Sequence, residues 1–321
     1  YNHMKTPLKI LACLLALSTS GLNAGLDSFK LTPDWENKIQ QTAPDNAPAK
    51  PQAERKVLVF SLTTGFNHWC IPHTSAMVKI LGEKSGAYTT VQSNDIEQFL
   101  PKNISQYDAI VLNNSCPDRK NRDVFLDTLV NKVDQYGAKY KDLPLEERKA
   151  LALKFYTSLT TYIAEGGGLI VLHGGITNFN NSDEFSEIVG GSFNFHPKQQ
   201  EVRLNTVDHA HPLTKPFGGE PFVHVDEPYL FNRAYSKLNF RPLLEMDVAK
   251  LQPDKRAKDI DEIPRYVSWI KRHEQGRVFF CSPSHNAQSF EQPALLQFIL
   301  GGIQYTLGDL DCPDSPLLHQ H

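Results

Sequence analysis

Four short, mainly apolar runs punctuate the chain: Lys56-Val-Leu-Val-Phe-Ser-Leu62, Asp108-Ala-Ile-Val-Leu112, Leu169-Ile-Val-Leu172 and Arg277-Val-Phe-Phe-Cys281. Runs without polar alternation predict strands buried on both faces, as in a parallel sheet covered by helices. Helical spacing lies between them. Ala76, Met77, Ile80 and Leu81 make one apolar stripe. Leu151, Phe155, Leu159 and Tyr162 make another, which stops at Gly166-Gly167-Gly168, where glycine supplies a left-handed cap. Tyr88 to Gln92 is a weaker second strand, residues 118–146 are a charged insertion of helix and loop, and Pro293 to Leu307 closes the fold as an amphipathic helix. After about residue 200 the pattern changes: Glu201 to Val207, Phe222 to Leu230, Arg241 to Met246 and Arg265 to Lys271 alternate like strands with no helix between them. The expected fold class is α/β, a doubly wound, mostly parallel sheet with right-handed crossovers and a β-rich C-terminal elaboration.

The N-terminus departs from this pattern. Lys5 and Lys9 precede the apolar run Ile10 to Leu17, and small polar residues lead to Asn23-Ala24. That order predicts a signal peptide over 1–24, too short in its apolar core to span a bilayer, and hence a periplasmic or secreted protein with no membrane association after cleavage. Residues 25–55, with Pro33, Pro44, Pro48 and Pro51, read as an extended leader or linker, 56–308 as the α/β domain and 309–321 as a C-terminal tail. The 321 residues are 40% hydrophobic and 21% charged, ordinary for a globular protein with a sizeable core. Removing Lys5 and Lys9 from the 33 basic residues leaves 31 against 36 acidic ones, a formal charge of −5. With no basic run to track phosphates, nucleic acid is excluded as a partner. Export leaves Cys70, Cys116, Cys281 and Cys312 in an oxidising compartment, so disulfides are open and their pairing is unreadable; oligomeric state is equally unreadable.

Each apolar run ends in polar residues: Thr64-Gly65-Phe66-Asn67-His68-Trp69 after the first, Asn113-Asn114-Ser115 after the second, His173-Gly174-Gly175 after the third and Ser284-His285-Asn286 after the fourth. Parallel strands place these ends on one edge, where ligands bind in open α/β sheets, so His68, His173 and His285 are expected to converge. His196-Pro197 and the segment Asp226-Glu227-Pro228-Tyr229 are expected to close over that edge. His173, Glu227, His285, His68 and His196 are therefore the candidate catalytic residues, since imidazole and carboxylate are the groups most readily tuned for proton transfer. His224 is read as an exposed strand position, and His209 and His211 as parts of a turn. Phe66, Asn67, Asn114, Asn178 and Tyr229 are the candidate substrate contacts, because rings among amides suit the C–H faces and hydroxyls of a small-molecule carbohydrate. No HExxH or nucleotide motif occurs, so no metal ligands are assigned and the cofactor is unknown; a divalent metal held by separate strand-end loops stays open.

Taken in order, Thr64-Gly65-Phe66-Asn67-His68, Glu165-Gly-Gly-Gly168 leading to His173-Gly174, Glu187-Ile-Val-Gly-Gly191, His196-Pro197, His211-Pro212-Leu213-Thr214, Asp226-Glu227-Pro228-Tyr229, Val267-Ser268-Trp269 and His285 resemble the trehalose-utilisation, ThuA-like family. The resemblance covers roughly residues 56 to 308 and implies a class I glutamine amidotransferase-like, flavodoxin-like fold. In amidotransferases the strand-to-helix turn presents a nucleophilic cysteine; His173 in that place implies that glutaminase chemistry is absent. Asn67, where a basic residue is common, and Phe195, where glycine is usual, depart from the family pattern. The resemblance also implies carbohydrate metabolism: lyase, isomerase or hydrolase action on a sugar or 3-keto-glycoside by His and Glu acid–base chemistry. A non-catalytic carbohydrate-binding protein and a metal-assisted hydrolase are the alternatives.

Overall fold

The apolar runs become strands that meet water on neither face. In the computed structural model, which describes residues 25–252 and 265–317, the parallel strands of the first half are β1 (Lys56–Phe60), β2 (Thr89–Ser93), β3 (Ala109–Asn113) and β4 (Gly168–Leu172). The later strands are β5 (Ser192–Phe195), β6 (Gln200–Thr206), β7 (Phe222–Asp226), β8 (Leu230–Asn232), β9 (Arg241–Met246), β10 (Tyr266–His273) and β11 (Gly276–Cys281). The described strands form one sheet in the order β2-β1-β3-β4-β11-β10-β9-β6-β7, with β5 and β8 paired separately. Neighbours from β2 to β11 are parallel; β10, β9, β6 and β7 continue the sheet antiparallel, so the expected elaboration is an extension of the same sheet.

Alternate residues of the parallel strands feed two cores. Val57, Val59, Ile170, Leu172 and Phe279 pack under the helices Ile71–Ser85 and Pro293–Thr306. Leu58, Phe60, Leu169, Val171 and Phe280 face the helix Leu145–Ala164, whose buried positions are Ala152, Phe155, Ser158, Leu159 and Ile163. That face is rotated slightly from the expected stripe, leaving Leu151 and Tyr162 at its margins. The insertion 118–146 resolves into a chain of short helical turns, Val124–Leu126, Asp127–Asn131, Val133–Tyr136 and Ala138–Tyr140. Phe222 to Leu230 divides into β7 and β8, because Pro228 has no N–H to carry a ladder through. Among the described residues the cysteines, Cys70, Cys116, Cys281 and Cys312, are free thiols, the first three of them buried. No helix among the described residues is long and apolar enough to cross a membrane.

Residues 25–55 correct the expectation of an extended leader. A helix forms over Pro33–Thr42, with the Thr32 hydroxyl accepting from the Trp35 amide and Pro33 in the first turn. Proline starts a helix as readily as it breaks one, since the first-turn N–H has no intrahelical partner. Trp35 and Ile39, one turn apart, are buried, and the Phe29 and Trp35 rings meet the His73 ring at centroid distances of 4.7 and 4.8 Å.

At the opposite end of the sheet, Arg55 joins the start of β1 to the C-terminal turn: its guanidinium donates to Asp309 at 2.7 Å and to Asp108 at 3.2 Å. The Asp309 side chain has no exposed surface. Arg55→Met leaves that carboxylate buried without its cation, and the expected loss is about 3 kcal/mol in urea denaturation, with Arg55→Lys losing less. Equal stability of wild type and the Met variant contradicts this account of the pair.

Candidate active site

Strand register brings the histidines together. Asn113, Leu172 and Cys281 are Cα partners in adjacent strands, so Asn114, His173 and Ser282 leave the sheet at one level. Asn114 and His173 both have left-handed backbones, with φ of 50° and 40°. Such conformations cost a non-glycine residue about 1–2 kcal/mol and are retained where the surroundings over-determine them. The surroundings here do so. A Cβ at Gly174 would meet His68 Cε1 at 2.6 Å and Cys116 Sγ at 2.7 Å, and one at Gly175 would meet the Leu112 carbonyl oxygen at 2.3 Å. The Gly pair therefore lets the turn close against β3. Asn114 staples three loops: its Oδ1 accepts from the Gly174 amide at 3.1 Å, and its Nδ2 donates to the Ser284 carbonyl at 3.3 Å. The first loop is tied in by the Thr64 and Gly65 amides, which donate to the Cys116 carbonyl at 3.2 and 2.9 Å.

At the centre, Glu227 Oε2 lies 3.3 Å from His173 Nε2 and 3.4 Å from His285 Nδ1, and those two nitrogens are 3.2 Å apart. A ring nitrogen of His68 completes a set of four ligand atoms within 4.8 Å of one another. His196 Nε2 is 3.7 Å from the same carboxylate oxygen. Glu227 and His196 link the centre to solvent, their side chains 15% and 30% exposed, whereas the His173 side chain has no exposed surface. His173 Nδ1 is 2.9 Å from the Ser282 carbonyl, which can only accept, so the ring carries its proton there and turns the Nε2 lone pair to the centre. Burial pushes both His173 and His285 down to about 3, and it pushes His68 well below the usual imidazole range, so these rings are uncharged at neutral pH.

The expected catalytic set thus forms one cluster, and the expected contacts divide. Phe66 is 54% exposed at the mouth, with its ring 4.7 Å from that of His68, and Asn67 beside it is exposed. Tyr229 is buried against His173, centroids 3.9 Å apart, and stacks on His196 at 5.5 Å. Asn114 and Asn178 are fully buried; Asn114 is committed to the scaffold, whereas Asn178 Nδ2 donates to Ser115 Oγ at 2.6 Å and its Oδ1 has no hydrogen-bond partner among the described residues. His224 corrects the reading of an exposed strand position: it is buried, with Nδ1 2.9 Å from Ser289 Oγ. His211 lies in the expected turn, its Nε2 2.8 Å from the Pro313 carbonyl.

Two neighbours escaped the sequence reading. Cys116 Sγ lies 3.6 Å from His68 Nδ1; burial raises this thiol to about 12, which keeps it protonated and unreactive. Arg122 arrives from the inserted segment with φ of 53° and sets its guanidinium over the Phe193 ring at 5.8 Å. The available signal was Arg119, Lys120 and Arg122, set between Asp118 and Asp123 just after a strand end. A large concavity lined by Arg55, Tyr107, Asp108, Leu153 and Tyr162 opens at the opposite edge of the sheet. It gathers no titratable cluster of this kind, so chemistry and not size locates the site.

A family model described as ThuA, trehalose utilisation, matches residues 145–306. Among solved structures, a ThuA-like protein from Bacteroides uniformis ATCC 8492 superposes with a TM-score of 0.55 at 14% identity, covering 80% of this chain and 93% of that one. A second, from Parabacteroides merdae ATCC 43184, gives 0.51 at 17% identity, covering 79% and 90%. At these identities the likeness shows a shared fold. No curated protein matches the chain. The matched region runs from the helix that precedes β4, through the His173 turn and Glu227, to the closing helix, and by that match the chain belongs to the trehalose utilisation (ThuA) family.

Proposed function

We propose that the protein is an enzyme acting on a sugar or glycoside, and that its substrate carries a ring carbonyl, as in a 3-keto-glycoside. The observation that carries this reading is the convergence of three imidazoles on Glu227 Oε2 at the carboxyl edge of the sheet. A family named for trehalose utilisation supplies the substrate class. A carbonyl at C3 acidifies the neighbouring C2–H, so no covalent nucleophile is needed. Glu227 takes the C2 proton, the C–H electron pair becomes the C1–C2 double bond, and the C1–O bond breaks. The departing oxygen takes a proton from His196, at the mouth of the site, which water then resupplies. The products are an unsaturated keto-sugar and the free aglycone, and no oxidant or reductant enters. Phe66 is placed to stack on the apolar face of the sugar.

Mass spectrometry of a 3-keto-disaccharide incubated with the protein tests the reading. Consumption of the keto-sugar with release of its aglycone is expected, while the unmodified disaccharide stays intact. Calorimetric binding of unmodified sugars with no product from either class overturns it in favour of a carbohydrate-binding protein.

A further inference from the structure

The centre of the site has more lone pairs than protons. His173 keeps its proton on Nδ1, where the Ser282 carbonyl accepts it, so Nε2 is an acceptor. Glu227 Oε2 is an acceptor as well, and the two face each other at 3.3 Å. His285 Nδ1 can bring one proton at most, and it lies 3.2 Å from one acceptor and 3.4 Å from the other. One proton cannot satisfy both, and a charge-assisted N–H···O contact would close to about 2.7–2.9 Å.

The lengths fit a different centre. Imidazole and carboxylate ligands sit about 2.0–2.1 Å from zinc, which sets the edges of a coordination tetrahedron at about 3.3–3.4 Å. The triangle formed by His173 Nε2, His285 Nδ1 and Glu227 Oε2 has edges of 3.2, 3.3 and 3.4 Å. The fourth vertex has a donor nearby in the His68 ring. Its supports follow the usual logic of metal sites, in which the far nitrogen of a ligating histidine donates to a carbonyl and so fixes ring and tautomer; the Ser282 carbonyl does this for His173.

We propose that His68, His173, Glu227 and His285 bind one divalent first-row transition-metal ion. Three imidazoles and a single carboxylate suit zinc or its neighbours, whereas magnesium and calcium want oxygen ligands. The ligands come from the ends of β1, β4, β7 and β11, four separate segments, and no short spacing motif announces them. The existence of the site rests on its geometry; its part in turnover rests on the carbohydrate reading above. In that role the ion polarises the substrate carbonyl, holds Glu227 by one oxygen and leaves the second for the C2 proton.

Calorimetric titration of chelator-treated protein with zinc chloride tests the site directly. One equivalent is expected to bind, and His173→Asn, His285→Ala and Glu227→Gln are each expected to weaken binding by about 100-fold or more, while His196→Ala leaves the stoichiometry at one. Circular dichroism of each variant without zinc verifies folding. Cobalt(II) titration supplies a second readout, an intense visible d–d band that the His173→Asn variant lacks. Absent zinc binding, or binding unchanged in a folded His173→Asn/Glu227→Gln double variant, overturns the proposal. Full turnover by metal-free protein overturns the ion's part in turnover and leaves the carbohydrate reading standing. Stoichiometric zinc with no turnover of any keto-glycoside does the reverse.

Discussion

Glu227→Gln is expected to lower kcat/KM on a 3-keto-glycoside by about 10³, the scale of a lost general base, with the melting temperature nearly unchanged. Glutamine keeps the shape of the side chain and removes the charge. Glu227 Oε2 is the atom on which His173, His196 and His285 converge, at 3.3, 3.7 and 3.4 Å, so its charge organises the whole centre. The side chain, 15% exposed, also reaches solvent, and so substrate. The fall belongs in kcat more than in KM, because the lost interaction is with the proton in flight. Steady-state kinetics on the purified variant checks this, and a loss of less than about tenfold contradicts a base at this position.

His173→Asn has the second large effect. Asparagine tolerates the left-handed backbone better than other non-glycine residues, so the variant retains the turn at φ 40° while removing the imidazole. The buried hydrogen bond to the Ser282 carbonyl is lost with it, at about 1–3 kcal/mol of stability. Activity is expected to fall by about 10³ or more, the cost of disabling a preorganised centre. His196→Ala gives the contrast: its ring is 30% exposed and 3.7 Å from Glu227, and the expected loss is about tenfold, since water can replace a donor at the mouth. Equal losses in the two variants, measured on folded protein, contradict the assignment of His173 to the centre.

The fold and the convergence of the histidines were legible in the sequence for one physical reason. Runs without polar alternation mean doubly covered parallel strands, and parallel strands end on the same edge. What stayed hidden depends on neighbours remote in the chain. Asn114 reads as a ligand contact because an amide looks the same whether it faces a sugar or is consumed by Gly174 and Ser284. His224 read as exposed because the strand alternates there, while the residues that bury it, Ser289 among them, lie some 65 positions away. The helix Pro33–Thr42 was masked by the prolines around it, although Thr32, Pro33, Trp35 and Ile39 carried its cap and its buried stripe. Cys116 stands at a strand end in the sequence, but its contact with His68 was hidden, since 48 residues separate them and only the pairing of β1 with β3 brings them close.

The central claim is that Glu227, within a ring of imidazoles, takes the proton at C2 of a keto-sugar. Proton NMR in deuterium oxide on the 3-keto derivative of 1,5-anhydroglucitol, which has no glycosidic leaving group at C1, isolates that step. The account predicts that the wild-type protein replaces the C2 hydrogen with deuterium well above the buffer rate, and that Glu227→Gln does not. No exchange above buffer, or equal exchange by wild type and Glu227→Gln, contradicts it.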